Sequence, residues 1–159
     1  MRSWEAGRFA QVHFIGVATP GRGDGSYDLA QLRAAVFALI PHLRRDSLII
    51  GKSTVPPGTA AKLQNMADDM LEPGAGRVEV VWNPEFLREG CAVQDTLRPD
   101  RIVVGVISAK AAETVREIYR PVTDAGVPLL VTDLPTSELA KGAANLRLSP
   151  GISGGYQCK

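Results

Sequence analysis

The sequence predicts an α/β fold built on a parallel sheet, and three observations carry that prediction. Short apolar runs alternate along the chain with segments whose apolar residues recur at helical spacing. The helical segments between runs are long enough to serve as crossovers, which parallel strands need and hairpin-linked strands do not. Three of the runs also end in polar or turn chemistry: Thr19-Pro20, Ser53-Thr54-Val55-Pro56 and Asn83-Pro84-Glu85. In a parallel sheet such ends lie along one edge, where open α/β sheets hold their ligands.

The elements follow in order. Gln11 to Ala18 reads as a buried strand ending in Thr19-Pro20. A Gly-rich turn, Gly21 to Ser26, comes next, with Asp28 placed as a helix N-cap. From Leu29 onward, Leu32, Val36, Leu39, Ile40 and Leu43 mark an amphipathic helix, and Pro41 bends or shortens its last turn. Ser47 to Gly51 is the second strand, running into Lys52-Ser53-Thr54-Val55-Pro56-Pro57-Gly58. A helix from about Thr59 to Leu71 carries Leu63, Met66, Met70 and Leu71 on one side, and Glu72-Pro73-Gly74-Ala75-Gly76 stops it. Strand Val78 to Trp82 leads into Asn83 to Gly90, then a partly helical or irregular stretch. Arg101 to Val106 is a strand, Ala109 to Tyr119 a helix and Pro128 to Thr132 a strand. A last helix runs from Thr136 to about Leu146, capped by Thr136 or Ser137. From Leu148 the chain is small, polar and Gly-rich, the composition of a disordered tail.

Bulk composition excludes several function classes. With 159 residues, 45% of them hydrophobic, the chain can bury one domain core. A net charge of +1, with Lys and Arg unclustered, gives no footprint for nucleic acid. No apolar run approaches the ~20 residues that cross a bilayer, and Met1 to Phe9 lacks the apolar core of a secretory signal. Cys91 and Cys158 fit neither a disulfide framework nor a metal spacing, so no metal is expected and a cytoplasmic location is.

The segment Asn83-Pro84-Glu85-Phe86-Leu87-Arg88-Glu89-Gly90 is the densest in chemistry. Glu85 and Glu89 stand four apart beside Arg88, and would share a face if the segment after Pro84 turned helical. Proline and threonine also stop strands for structural reasons alone; three such loops at one edge favour a site. Lys141 and Asn145, four apart on the last helix, could hold a ligand oxygen or water, or be ordinary solvated surface. Gly21-Arg22-Gly23-Asp24-Gly25 lacks the spacing of a dinucleotide fingerprint, so the chain does not read as a complete dinucleotide-binding domain. His13, His42 and Cys91 read as structural. Cys158 follows a Gly-rich tail that supplies no electropositive pocket for a thiolate.

Taken together, Lys52 to Thr59, Asn83 to Gly90, Ala92-Val93-Gln94-Asp95, Arg98 to Gly105, and Ser137-Glu138-Leu139-Ala140-Lys141 with Asn145 resemble the UDP-glucose 6-dehydrogenase family. These are NAD-dependent enzymes that oxidise a nucleotide-sugar C6 alcohol to a carboxylate. The likeness runs in order from about Val12 to Asn145, and the Asn-Pro-Glu-Phe-Leu-Arg-Glu-Gly and Pro-Asp-Arg-Ile-Val segments look more like UDP-glucose enzymes than GDP-mannose or UDP-N-acetylmannosamine relatives.

The resemblance implies a Rossmann-like sheet without its first strands and glycine loop, followed by the start of the family's central helix. It divides the chain into residues 10–133, the second part of the NAD-binding domain, residues 134–147, the start of that helix, and a tail over 148–159. It also implies roles. Thr19 and Thr54 lie along the cofactor, Thr54 near the nicotinamide and the reacting centre, and Glu89 near the cofactor. Glu85 is the acid/base that works through ordered water. Phe86, Leu87 and Arg88 hold the sugar nucleotide. Lys141 donates to the substrate oxygen, and Asn145 supports the same oxygen or its water. The implied cofactor is NAD, the implied substrate is UDP-glucose, and family members are homo-oligomers. In the family a cysteine attacks the intermediate aldehyde, a second hydride leaves to give a thioester, and water hydrolyses it.

This sequence departs from the family pattern in several places. Ala18 replaces the usual glycine before Thr19. The family's cysteine sits in a Gly-Gly-x-Cys setting well beyond the lysine. Cys158 has one residue too many after Gly154-Gly155 and comes too early, so it is not assigned as nucleophile. The family pattern stops at Leu146, as a reading-frame change or truncation would make it stop. The expectation is a fragment inactive by itself, with a non-catalytic remnant or a UDP-sugar binding module as the alternative.

Overall fold

A computed structural model describes residues 3–87, 90 and 92–147. Arg88, Glu89, Cys91 and the tail from 148 to 159, with Cys158, lie outside the described residues, as does the side chain of Asn145.

The elements are helix α1 (Ser3–Phe9), strand β1 (Val12–Ile15), helix α2 (Ala30–Leu39) with a 3-10 turn at Ile40–His42, β2 (Ser47–Gly51), α3 (Thr59–Met70), β3 (Val78–Trp82), α4 (Ala92–Leu97), β4 (Ile102–Gly105), α5 (Ala109–Thr123), β5 (Leu129–Thr132) and α6 (Leu134–Arg147). Helix α1 is an element that the sequence reading did not assign; it packs on α2 and the 3-10 turn. Pro41 does shorten its helix, converting the last turn to 3-10 geometry. The N-cap position of α2 is Leu29, one residue later than expected, and its side chain caps nothing; Asp28 still serves the helix start, its Oδ1 accepting from the Ala30 amide at 2.9 Å. The cap of α6 differs too: Asp133 accepts from the Thr136 amide at 2.7 Å, so the cap precedes both expected residues.

The five strands form one sheet in the order β1-β2-β3-β4-β5. Pairs β1–β2, β2–β3 and β4–β5 are parallel, as expected. The exception is β3–β4, which meet antiparallel with Trp82 opposite Gly105. The physical reason lies in the connection. Parallel pairing needs a crossover that carries the chain back along the sheet, and between Trp82 and Ile102 the described helix is only Ala92–Leu97.

Alternation along the strands builds two cores. Ile49, Val78, Val80 and Trp82 face one way and pack with Leu32 and Val36 of α2, Leu63 of α3 and Leu134 of α6. Leu48, Ile50, Val81 and Val104 face the other way and pack with Ala111 and Val115 of α5. Gly51 is required beside Trp82, since a Cβ there would lie 2.1 Å from the indole ring. The carboxyl ends of β1, β2 and β3 thus share one edge, and α6 climbs toward it along β4.

Candidate active site

The edge is assembled by hydrogen bonds between loops that are far apart in sequence. The Lys52 amide donates to Ile15 O at 2.9 Å and the Asn83 amide to Gly51 O at 2.9 Å, continuing the parallel ladder past the strand ends. Ser53 Oγ donates to Val17 O at 2.6 Å, and Thr19 Oγ1 to Thr54 O at 2.7 Å. The loops after β1, β2 and β3 therefore converge, as the three strand-end motifs predict. Thr19 contributes its hydroxyl to holding the Thr54 loop.

Residues 83–87 are not helical, so the shared helical face expected for Glu85 and Glu89 does not form over the described part of the segment. Instead the Glu85 carboxylate folds back on its own loop, where Oε2 accepts from the Leu87 amide at 2.6 Å. Its other oxygen, Oε1, lies 3.1 Å from Lys141 Nζ. Lys141 reaches it from the second turn of α6 and has only 9% of its side chain exposed, against 34% for Glu85. The Phe86 ring lies beneath two cations, with Lys141 Nζ 5.7 Å and Arg101 Cζ 5.2 Å from its centroid. Leu87 is 40% exposed at the outer side of this group. Asn145 lies one turn beyond Lys141 on α6.

Behind the ion pair is a polar cluster that the sequence reading missed. Asn83, 1% exposed, accepts from Lys52 Nζ at 2.9 Å and from the Tyr119 hydroxyl through Oδ1, and donates through Nδ2 to Val103 O at 2.8 Å. Burial pushes the Lys52 amine below its usual range, while the nearby Glu85 carboxylate opposes that shift. The Tyr119 phenol is pushed up to about 12 by burial, so it stays a donor. Lys52 and Asn83 lie inside the strand-end motifs and were legible as neighbours of the site. Arg101 lies in the Pro-Asp-Arg-Ile-Val segment that carries the family resemblance, though with no role assigned there, and Tyr119 comes from a distant segment with no local signal.

Glu138 was also missed. It is 1% exposed, and its carboxylate accepts from the Gly58 and Ala60 amides, both at 2.6 Å. Burial pushes the Glu138 carboxyl up from the usual carboxylate range, against a downward pull from the backbone amides it accepts from. Its spacing of three from Lys141 was the available clue. Among the described residues no group of three or more His, Cys, Asp or Glu is placed to hold a metal, and no helix is long and apolar enough to cross a membrane.

The UDP-glucose/GDP-mannose dehydrogenase family, NAD binding domain, matches residues 3–123. The chain belongs to this family. The UDP-glucose 6-dehydrogenase of Rickettsia bellii (strain RML369-C) is 43% identical over 140 residues, which are 88% of this chain and 31% of that protein. A solved UDP-glucose dehydrogenase from the hyperthermophilic archaeon Pyrobaculum islandicum superposes with a TM-score of 0.82 at 40% identity, over 92% of this chain and 34% of the other. The GDP-mannose dehydrogenase of Pseudomonas aeruginosa, solved as a ternary complex, gives the same TM-score of 0.82 at 25% identity, over 94% and 35%. Backbone shape is equally shared by these two structures, whereas the sequence stands nearer the UDP-glucose enzyme. The chain spans about a third of the length of these relatives.

Proposed function

We propose that this chain is the part of an NAD-dependent UDP-glucose 6-dehydrogenase that holds the reacting end of the sugar nucleotide, in a reaction that takes UDP-glucose to UDP-glucuronate by two successive hydride transfers. The observation that carries this reading is the Lys141–Glu85 pair at the carboxyl edge of the sheet. It puts a cation suited to a developing alkoxide next to a carboxylate suited to moving protons.

In this reading Lys141 donates to the C6 oxygen and stabilises its developing charge, with Asn145 supporting that oxygen or its water. Phe86, Leu87 and Arg88 hold the sugar nucleotide. Thr19, Thr54 and Glu89 form the cofactor side. The edge suits a dinucleotide in its chemistry, because short hydroxylated residues from two adjacent strand ends are tied together there by the Thr19–Thr54 bond. NAD, when bound, takes the hydride lost from C6.

Glu85 has a specific part in this scheme. Both of its oxygens are engaged, one by Lys141 and one by the Leu87 amide. A substrate oxygen arriving at Lys141 competes with Glu85 for the same ammonium. Its success frees a carboxylate oxygen, which then accepts a proton through water.

Titration calorimetry of the 159-residue chain with UDP-glucose tests the binding half, and NADH absorbance with UDP-glucose and NAD tests the chemistry. Heat of binding without sustained NADH is expected, because the stretch matching the family carries no thiol assigned as nucleophile. Sustained NADH would overturn the reading of an inactive fragment. A folded chain that takes up no UDP-glucose would leave the non-catalytic remnant.

A further inference from the structure

Helix α3 begins without a cap of its own. Its N-cap residue is Gly58, held at φ +86°, which offers no side chain to the amides of the first turn. The partner comes instead from α6, about eighty positions later in sequence, where the buried Glu138 carboxylate receives both the Gly58 and the Ala60 amides at 2.6 Å. Glu138 lies three residues before Lys141 on the same helix, so the two project from adjacent turns of one face. The other side of that turn is fixed as well. Ser137 is fully buried, and its Oγ occupies the space a Cβ on Gly105 would need, 2.3 Å away.

We propose that Glu138 is a positioning residue: by tying α6 to the amino end of α3, it sets Lys141 Nζ against Glu85 and fixes α6 relative to the Thr54 loop. The functional weight of this inference rests on Lys141 facing the substrate; its geometric content does not. A carboxylate suits the task because two N–H groups from one helix start converge on it, and each of its oxygens takes one. The connection is also short. Thr54 lies four residues before Gly58, and Glu85 N donates to Lys52 O at 3.4 Å in the same loop. One buried side chain therefore couples the lysine-bearing helix to the loop on which the Glu85 segment rests. A cap that served only α3 would stabilise that helix and leave the ammonium position unaffected.

The test is an NMR comparison of the labelled 159-residue chain with Glu138→Gln. The amide side chain accepts through one oxygen and turns its NH2 toward the other N–H, so one of the two bonds is lost. The expected result is a shift of the Lys141 Cε resonance and of the Leu87 amide, which reports on the Glu85 carboxylate. Hydrogen exchange at Gly58 or Ala60 should also quicken by about tenfold or more, as the loss of a bond to a charged acceptor implies. Val115→Ala, in the other core beneath α5, serves as the destabilised control and should leave the Lys141 and Leu87 signals in place. Faster exchange at Gly58 and Ala60 with Lys141 and Leu87 unmoved would reduce Glu138 to a cap and overturn the proposal. Should Glu138→Gln fail to fold, Glu138→Asp keeps the charge but shortens the reach. The same two signals must then move in the same direction, and wild-type positions would again overturn it. UDP-glucose calorimetry is read separately. A wild-type chain that does not bind the nucleotide sugar refutes the functional reading, while the resonances still decide the role of Glu138.

Discussion

Lys141 and Glu85 form an unequal pair: the ammonium is almost wholly buried, the carboxylate is a third exposed, and 3.1 Å separates Nζ from Oε1. The inequality sets which partner can be lost cheaply. Without Lys141, Glu85 keeps the Leu87 amide and its contact with water, so Lys141→Met should lower stability by less than about 1 kcal/mol. Without Glu85, a buried ammonium loses its carboxylate partner and keeps, among the described residues, the Phe86 ring, and Glu85→Gln should cost about 1–2 kcal/mol, below the range for a fully buried pair because water reaches this site. Urea denaturation of the two variants checks the order. Equal losses, or a larger loss for Lys141→Met, would refute the unequal burial argument.

Asn83 serves three partners at once, and truncating it leaves Lys52 and Tyr119 without their acceptor and Val103 O without its donor. Asn83→Ala should therefore cost about 2–4 kcal/mol, well beyond the loss expected from its volume. The midpoint of chemical denaturation measures this. A loss near that of an exposed Asn→Ala would show that the cluster is rehydrated rather than orphaned.

Two glycines near α6 should behave in opposite ways. A Cβ on Gly105 would lie 2.3 Å from Ser137 Oγ and 2.6 Å from Asp133 O, so Gly105→Ala must push α6 from β4. About 1–3 kcal/mol of destabilisation is expected from such overpacking. Gly142 lies within α6, and a Cβ there would meet nothing within 4 Å among the described residues. Gly142→Ala should therefore stabilise the chain by about 0.5–1 kcal/mol through helix propensity. Thermal midpoints of the two variants moving in the same direction would contradict the packing described.

His13 gives a pH signature. Its imidazole is buried in β1 with Nε2 unpartnered, and burial holds its proton affinity below the usual value of 6.5. As pH falls past that value the unfolded chain takes up a proton that the folded chain still refuses. Stability is therefore present above the unfolded value and is lost as pH falls toward the folded one. The slope from this group is at most about 1.4 kcal/mol per pH unit. His13→Leu should flatten the dependence of the thermal midpoint between pH 7 and 5. An unchanged slope would assign the acid sensitivity to other groups.

Much of the fold was legible because its signals are local. Ser47–Gly51 and Val78–Trp82 read as strands with the bounds the structure gives them, since short apolar runs flanked by turn residues have few alternatives. The convergence of the Thr19, Thr54 and Glu85 loops was legible too, because parallel strands bring their carboxyl ends to one edge whatever the side chains. The short α1 helix was not, as seven residues carry too little periodicity. Nor was the Asp133 cap, where a strand end and a helix start share one residue's neighbourhood.

The sequence by itself determined the alternation of strand and helix and the edge on which the chemistry-bearing residues gather. Each follows from periodicity and chain direction, which are properties of neighbouring residues. Only the tertiary structure decided that β4 runs antiparallel to β3, that Asn83 joins Lys52 to Tyr119, and that Glu138 ties α6 to α3 beside the Lys141–Glu85 pair. Those are pairings of polar groups many residues apart. A buried donor or acceptor must find a partner, but which one it finds depends on how the packed elements meet.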